Sequence, residues 1–275
     1  MLIWILKILI ILKLKTMSKI IELKPIKPNN SIGLEYKRAL QQLVDIMIED
    51  IFTNIKLEYI QQENKIALDK APKTINNLIK KLFKKWGQLF NKKAPLLANK
   101  FIDKIDKHNK LVNNSNIKLL SDKLTVNFSK ENKRLVIANE NLIQQQIDLI
   151  TNIPQQYQQK ISEAVFEAIN KGRDFNYLET ELSKINTINK KRVKLIAKNQ
   201  LDYSTNVINR ARQLDLGFTK AKWKHSTASK EPRQSHLKAN NKVYNLEEGC
   251  YIDGEYIQPA EKINCNCYSV PILEI

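Results

Sequence analysis

Glycine is scarce in this 275-residue sequence, with six in all. So few argue against a glycine-rich phosphate loop and against a sheet full of tight turns, and they leave room for long helices. Cysteine is scarcer, at three. An odd count in a chain this long does not make a disulfide framework, and the Cys-x-Cys pair at Cys265 and Cys267 suits a reducing compartment. Long apolar runs are also lacking. Met1 to Leu14, MLIWILKILIILKL, is broken by Lys7 and Lys13 and is shorter than the roughly 20 residues a spanning helix needs. It has neither the early positive charge nor the small-residue cleavage site of a signal peptide. Met17 opens a more ordinary start, so residues 1–16 read as an apolar leader from an upstream start codon, outside the working protein. The alternative is a weak membrane-surface anchor, and stable membrane insertion is not expected. No repeat of solenoid period is present.

Acidic residues are outnumbered, 28 against 46 basic, for a formal charge of +18. Two readings follow. One is a polyanionic partner such as DNA, RNA or a membrane surface. The other is base composition, because Lys, Asn and Ile abound together as in AT-rich coding, and arginine, the better bidentate reader of phosphate, is rare beside lysine. Hydrophobic residues make up 43% and charged residues 27%, a balance that supports a buried core and not wholesale disorder.

Most of the chain is patterned for amphipathic helices. Pro25 and Pro28 keep the stretch before Asn30 extended, and Asn30 or Ser31 offers a cap. From there Leu40, Leu43, Val44, Met47, Ile48, Ile51 and Ile55 recur at three- and four-residue steps. Ile75, Leu78, Ile79, Leu82, Phe83, Trp86 and Phe90 repeat the pattern, with Lys80, Lys81, Lys84 and Lys85 on the opposite face. That face is either a nucleic-acid surface or a solvated face over a core stripe. Pro95 is expected to open a new helix, Leu96 to Val112, and lone His108 receives no role. Asn113 to Ser129 reads as a break, with Leu124 to Phe128 a short extended piece. Helices are expected over Glu131 to Ile150, Gln155 to Asn170 and Arg173 to Ile185. A last long helix, capped by Thr187, ends at Gly217.

After Gly217 the pattern changes. Phe218 to Ser226 alternates as a strand does, Asp253-Gly254 between β-prone runs signals a type I′ hairpin, and Cys267 to Ile272 is a final strand. The fold class is α+β: a helical body over residues 17–216 followed by a small β-rich module over 217–275.

That module holds two of the three histidines and all three cysteines. Zinc would take four of His225, His236, Cys250, Cys265 and Cys267. The set His236, Cys265 and Cys267 plus one more ligand stands against a module whose cysteines are simply buried hydrophobes. A Cys–His nucleophile lacks a helix start, glycine elbow or orienting acid around it. A His–metal nuclease would want a helix after the hairpin. Ser226, Ser229, Arg233 and Ser235 with His236 would cradle an anion or satisfy loop backbone. Arg233 has Glu231, Glu255 and Glu261 as candidate partners.

The block W-x-H-S-x-x-S-K-E-P-R-x-S-H from Trp223 to His236, followed by K-V-Y, D-G-E-Y-I-x-P, I-N-C-x-C and a terminal Pro, resembles the phage Mu F-like head morphogenesis (minor head protein) family. Runs similar to that family occur upstream in the same order: KPNNSIGLEYKRAL, KKWGQLFNKKAPLLA, IPQQY, GRD and RARQLDLG. The resemblance thus extends from about Lys24 and excludes residues 1–16. It implies a minor head protein of a tailed phage or prophage, acting near the portal vertex in the host cytoplasm and carried in the virion head. Implied partners are portal and capsid or scaffold proteins, DNA and further copies of the chain, with no enzyme activity and no required cofactor beyond the zinc question. Trp223, His225, Ser226, Pro232, Arg233, His236, Pro259, Cys265 and Cys267 carry the motif. The family's usual Asn-Gly, Pro-Gly and Cys-Arg-Cys become Asn240-Asn241, Pro259-Ala260 and Cys265-Asn266-Cys267 here, departures that fit a drifting prophage copy. Asparagine tolerates a positive φ, whereas alanine at 260 would be strained by one.

Overall fold

The computed structural model describes residues 20–63, 71–121, 133–172, 174–226 and 231–274. The expected leader, the extended piece at Leu124 to Phe128, and Ser229 lie outside them. A three-residue strand β1 (Ile20–Glu22) precedes helices α1 (Asn30–Glu63), α2 (Ala71–Ser121), α3 (Lys133–Thr151), α4 (Ile153–Asn170) and α5 (Phe175–Asp215). The terminal part holds β2 (Lys220–Lys224), a short α6 (Gln234–Lys238), β3 (Val243–Asn245), β4 (Cys250–Ile252), β5 (Glu255–Ile257) and β6 (Tyr268–Glu274). The architecture is α+β as the sequence predicts, with long helices followed by a small antiparallel module. No described helix is long and apolar enough to cross a membrane.

The described residues within Met1–Pro28, His108–Val136 and Thr205–Ile275 form one compact unit, and those within Asn29–Lys107 and Ile137–Ser204 form another. In the second unit the sequence periodicity becomes burial. Leu40, Val44, Met47, Ile48, Ile51 and Ile55 of α1 are all buried, as are Ile75, Ile79, Leu82, Phe83, Trp86 and Phe90 of α2. Polar contacts then fix how these helices pack. Asp50 of α1 accepts the indole N–H of Trp86 at 2.6 Å and pairs with Lys85 at 2.9 Å. Tyr36 stacks on Phe101 at 3.9 Å between centroids, and its hydroxyl donates to Gln146, whose amide in turn reaches Gln200. Gly33 fits because a Cβ there would stand 2.7 Å from Leu201 Cδ2.

Three expected boundaries are corrected. Pro95 does not open a helix; it lies inside α2. Proline removes one helix hydrogen bond, at about 3 kcal/mol. The buried stripe Phe90, Ala94, Ala98, Phe101 and Ile102 nevertheless runs unbroken across it, and burial outweighs the defect. The expected break at Asn113 is also helix, which runs on to Ser121. Its asparagines serve as interior partners of backbone: Asn109 Nδ2 donates to the Thr205 carbonyl, and Asn116 makes two 3.0 Å bonds to Lys24, one to its N–H and one to its carbonyl. Thr187 is not a cap. It lies within α5, where its hydroxyl donates to the Ser183 carbonyl, a bond to the preceding turn that leaves the helix intact. At the start of α1 the capping oxygen belongs to Asn29, which accepts the Ser31 N–H at 3.0 Å.

The four-stranded sheet has the order β1-β6-β2-β3, and β4 and β5 form a separate hairpin. All pairs are antiparallel, with Ile21 opposite Leu273, Lys222 opposite Val270 and Ala221 opposite Tyr244. The hairpin turns on Asp253 (φ 54°) and Gly254 (φ 85°), both left-handed as a type I′ turn requires. Trp223 is fully buried in a core shared with Leu23, Phe218, Ala221, Tyr244, Leu246 and Cys250. Asp215, at the end of α5, accepts the N–H groups of Arg134 and Leu135 and so satisfies open donors at the start of α3.

Candidate functional site

Strand alternation sets up the site. On β2, Ala221 and Trp223 point into the core and Lys220 is exposed. His225, two residues past Trp223, continues the inward row at the strand's end. Its backbone N–H donates to the side chain of Asn240 at 3.0 Å, and the Asn241 N–H donates to the Trp223 carbonyl at 2.7 Å. Asn241 has φ 69°, so the Asn-Asn pair makes the positive-φ turn expected of it.

His236 lies on α6 and is buried, with its ring edge-on to Trp223 at 5.2 Å. The loop from β5 to β6 brings in the sulfurs. It passes through Ala260 (φ 65°) and Asn264 (φ 61°), two non-glycine residues held left-handed, and then presents Cys265 and Cys267, both buried. The strain that alanine was expected to carry at 260 is therefore present.

Four side chains converge. His236 Nδ1 lies 3.4 Å from Cys265 Sγ and 3.7 Å from Cys267 Sγ. His225 Nδ1 lies 3.7 Å from Cys267 Sγ. The ligand atoms of His236, Cys265 and Cys267 all fall within 4.8 Å of one another. The two thiols share a proton. Hydrogen bonding from Cys267 holds the Cys265 thiol well below the usual range against the pull of burial, and the backbone N–H groups of Cys267 and Ala260 add to the effect. Cys267 is pushed up, first by that same bond and then by burial, with the Ser226 amide and the Trp223 indole opposing the rise. Backbone N–H groups from three positions thus face the two sulfurs, an environment that favours one thiolate, on Cys265.

An open cleft of about 260 Å³ stands over the cluster, with Glu231, Pro232, Arg233 and Asn266 on its walls. Arg233 is exposed and donates to the Ile263 carbonyl at 3.0 Å. Glu255 pairs with Lys262, and Glu261 accepts the Gln258 N–H. Pro259 is buried in the same loop, and Ser226 contributes backbone. Cys250, weighed as a ligand from sequence, sits in the apolar core with Ile252 and Ile257, and burial raises its pKa. In the helical unit Lys80, Lys81, Lys84 and Lys85 are all exposed, and Lys85 is held by Asp50 and lies 5.5 Å from the Trp86 ring centre.

Sequence reasoning left His225 without a partner and missed β1. The signal for His225 was its place two residues after an inward tryptophan. For β1 it was only the short run Ile20-Ile21-Glu22.

Residues 159–270 match the family described as Phage Mu protein F like protein, which supports for this part of the chain the Mu F-like assignment that its motifs imply. The upstream runs between Lys27 and Ala98, and IPQQY at Ile153 to Tyr157, lie outside the matched residues. The chain is also similar to an uncharacterized protein of Haemophilus influenzae, 26% identical over 128 residues, which are 46% of this chain and 28% of that protein. It thus spans little more than a quarter of the length of the curated relative it matches. No solved structure matches the chain.

Proposed function

We propose that this chain is a minor head protein of a phage or prophage, acting in head morphogenesis near the portal vertex. The observation that carries the reading is the Mu F-like match, which spans the module built round Trp223, His236, Cys265 and Cys267. In this reading the module is a rigid docking knob and the helices supply the contact area. The role is assembly and not turnover. The partners are portal and capsid or scaffold proteins, together with further copies of the chain, met in the host cytoplasm and kept in the virion head.

The test is size-exclusion chromatography with light scattering on the full chain, alone and mixed with the portal protein of its own phage. A shift to a defined complex is expected. A monomer that ignores portal and capsid protein alike would sink the reading.

A second reading, contact with duplex DNA, is favoured by the exposure of Lys80, Lys81, Lys84 and Lys85 on one face of α2. Each phosphate neutralised adds a slope of about −0.9 to the logarithmic dependence of affinity on salt. A contact by all four lysines therefore gives a slope of about −3 to −4. The Lys85–Asp50 pair already engages one of the four. Absence of binding at low salt removes this reading.

A further inference from the structure

We infer that His225, His236, Cys265 and Cys267 form a closed tetrahedral Cys2His2 site for one zinc ion, which fastens the end of β2, the short helix α6 and the β5–β6 loop to one another. The inference stands apart from the head-assembly reading, and either can fail without the other.

Geometry is the first support. Zinc lies about 2.3 Å from a thiolate sulfur and about 2.0–2.1 Å from an imidazole nitrogen. A tetrahedral angle between such bonds sets each nitrogen–sulfur edge at about 3.5–3.6 Å. Three of the four imidazole-to-sulfur edges of such a site are in place, at 3.4, 3.7 and 3.7 Å, each within about 0.2 Å of the ideal. The ligand atoms of His236, Cys265 and Cys267 are already within 4.8 Å of one another, and His225 reaches the cluster through Cys267, so its ring is the one that turns inward to complete the set.

Charge is the second support. His236, Cys265 and Cys267 are buried. A divalent cation between two thiolates and two neutral imidazoles leaves no net charge to bury, whereas a lone thiolate leaves one. The supporting shell is the third. Backbone N–H groups of Ala260 and Cys267 face Cys265, and the Ser226 N–H faces Cys267. Such donors orient metal-bound thiolates, and losing one typically changes metal affinity 10- to 100-fold. The left-handed backbone of Ala260 and Asn264 has a purpose in this setting, since it turns the loop so that both sulfurs face inward. With four protein ligands the site is closed, and its role is structural.

The experiment uses the full chain purified under reducing conditions. Elemental analysis after exhaustive dialysis is expected to find one zinc per chain. Cobalt(II) loading is expected to give sulfur-to-metal charge transfer in the near ultraviolet and the intense visible bands of a tetrahedral centre. Cys265→Ser and Cys267→Ser should each lower cobalt affinity at least 100-fold. His225→Asn should lower it at least tenfold and change the visible bands. Cys250→Ala should leave affinity unchanged. If a cysteine variant fails to fold, the stoichiometry and cobalt spectrum of the unaltered chain still decide. A soluble, folded chain that holds no metal and shows no thiolate band overturns the site, as does a Cys265–Cys267 disulfide in place of free thiols. Unchanged affinity in His225→Asn overturns the four-ligand set.

Discussion

At the scale of single residues, two positions carry measurable strain or electrostatic work. Ala260 sits at φ 65°. A left-handed L-residue costs roughly 1–2 kcal/mol. Ala260→Gly is therefore expected to raise stability by about 1 kcal/mol, after glycine's greater unfolded entropy is subtracted. Chemical denaturation should show a higher midpoint at unchanged slope, and an unchanged or lower midpoint would mean that the side chain packs usefully. Asp50 is the second. Burial pushes its carboxyl up, but Lys85, the Trp86 indole and Asn54 outweigh burial and hold it below the usual value. A carboxylate with a depressed folded pKa stabilises the fold above its unfolded value, about 3.9, and the contribution fades as pH falls through the folded value. Asp50→Ala would leave the buried Trp86 N–H without its acceptor, at about 1–3 kcal/mol. In urea titrations the gap between the unaltered protein and Asp50→Ala should be wider at pH 7 than in acid, with the part due to the Trp86 hydrogen bond remaining because a protonated carboxyl still accepts it. A gap that does not change with pH would show that the charge of Asp50 contributes nothing.

At the scale of elements, apolar periodicity makes the helical class legible in the sequence, and the Asp253-Gly254 signal marks the hairpin. What sequence could not price was the competition at Pro95, Asn113 and Thr187. Each is a local helix-breaking or capping signal. Around Asn113 partners distant in sequence decide, Thr205 for Asn109 and Lys24 for Asn116, at Pro95 the buried stripe does, and Thr187 turns its hydroxyl back onto Ser183 of the preceding turn. The same gap left the cysteine pair half-read. Its sulfurs were visible as ligands, but His225 joins them only because β2 ends beside the β5–β6 loop. If Pro95 is a tolerated defect inside α2, Pro95→Ala should stabilise the protein by up to about 3 kcal/mol. A loss on calorimetry would show that the ring itself packs. Gly249 is the opposite case. It has φ 103°, and a Cβ there would stand 2.8 Å from the Ile257 carbonyl oxygen. Gly249→Ala should destabilise the protein by at least about 1–3 kcal/mol, read as a lower Tm, because both backbone conformation and hairpin contact oppose the methyl.

At the scale of the whole molecule, the Mu F-like match begins at residue 159, yet the sheet it ends on is completed from far outside it. β1 pairs with β6, Leu23 belongs to the module's core, and its N–H donates to the Pro271 carbonyl at 3.1 Å. A fragment of residues 217–275 would therefore expose one edge of β6 and lose an apolar core residue. Such a fragment is expected to be less stable than the same residues in the full chain, with narrowed amide dispersion and broadened lines by NMR. A well-dispersed, cooperatively unfolding fragment would show that β1 is dispensable.

The position of β6 between β1 and β2 has a consequence for biosynthesis. β6 is made after both of its neighbours, so Ile21 meets Leu273 only when the intervening helices have been synthesised. A nascent chain that has not yet reached β6 holds β1 and β2 with nothing between them, and the sheet closes by a pairing distant in sequence, the kind that forms slowly.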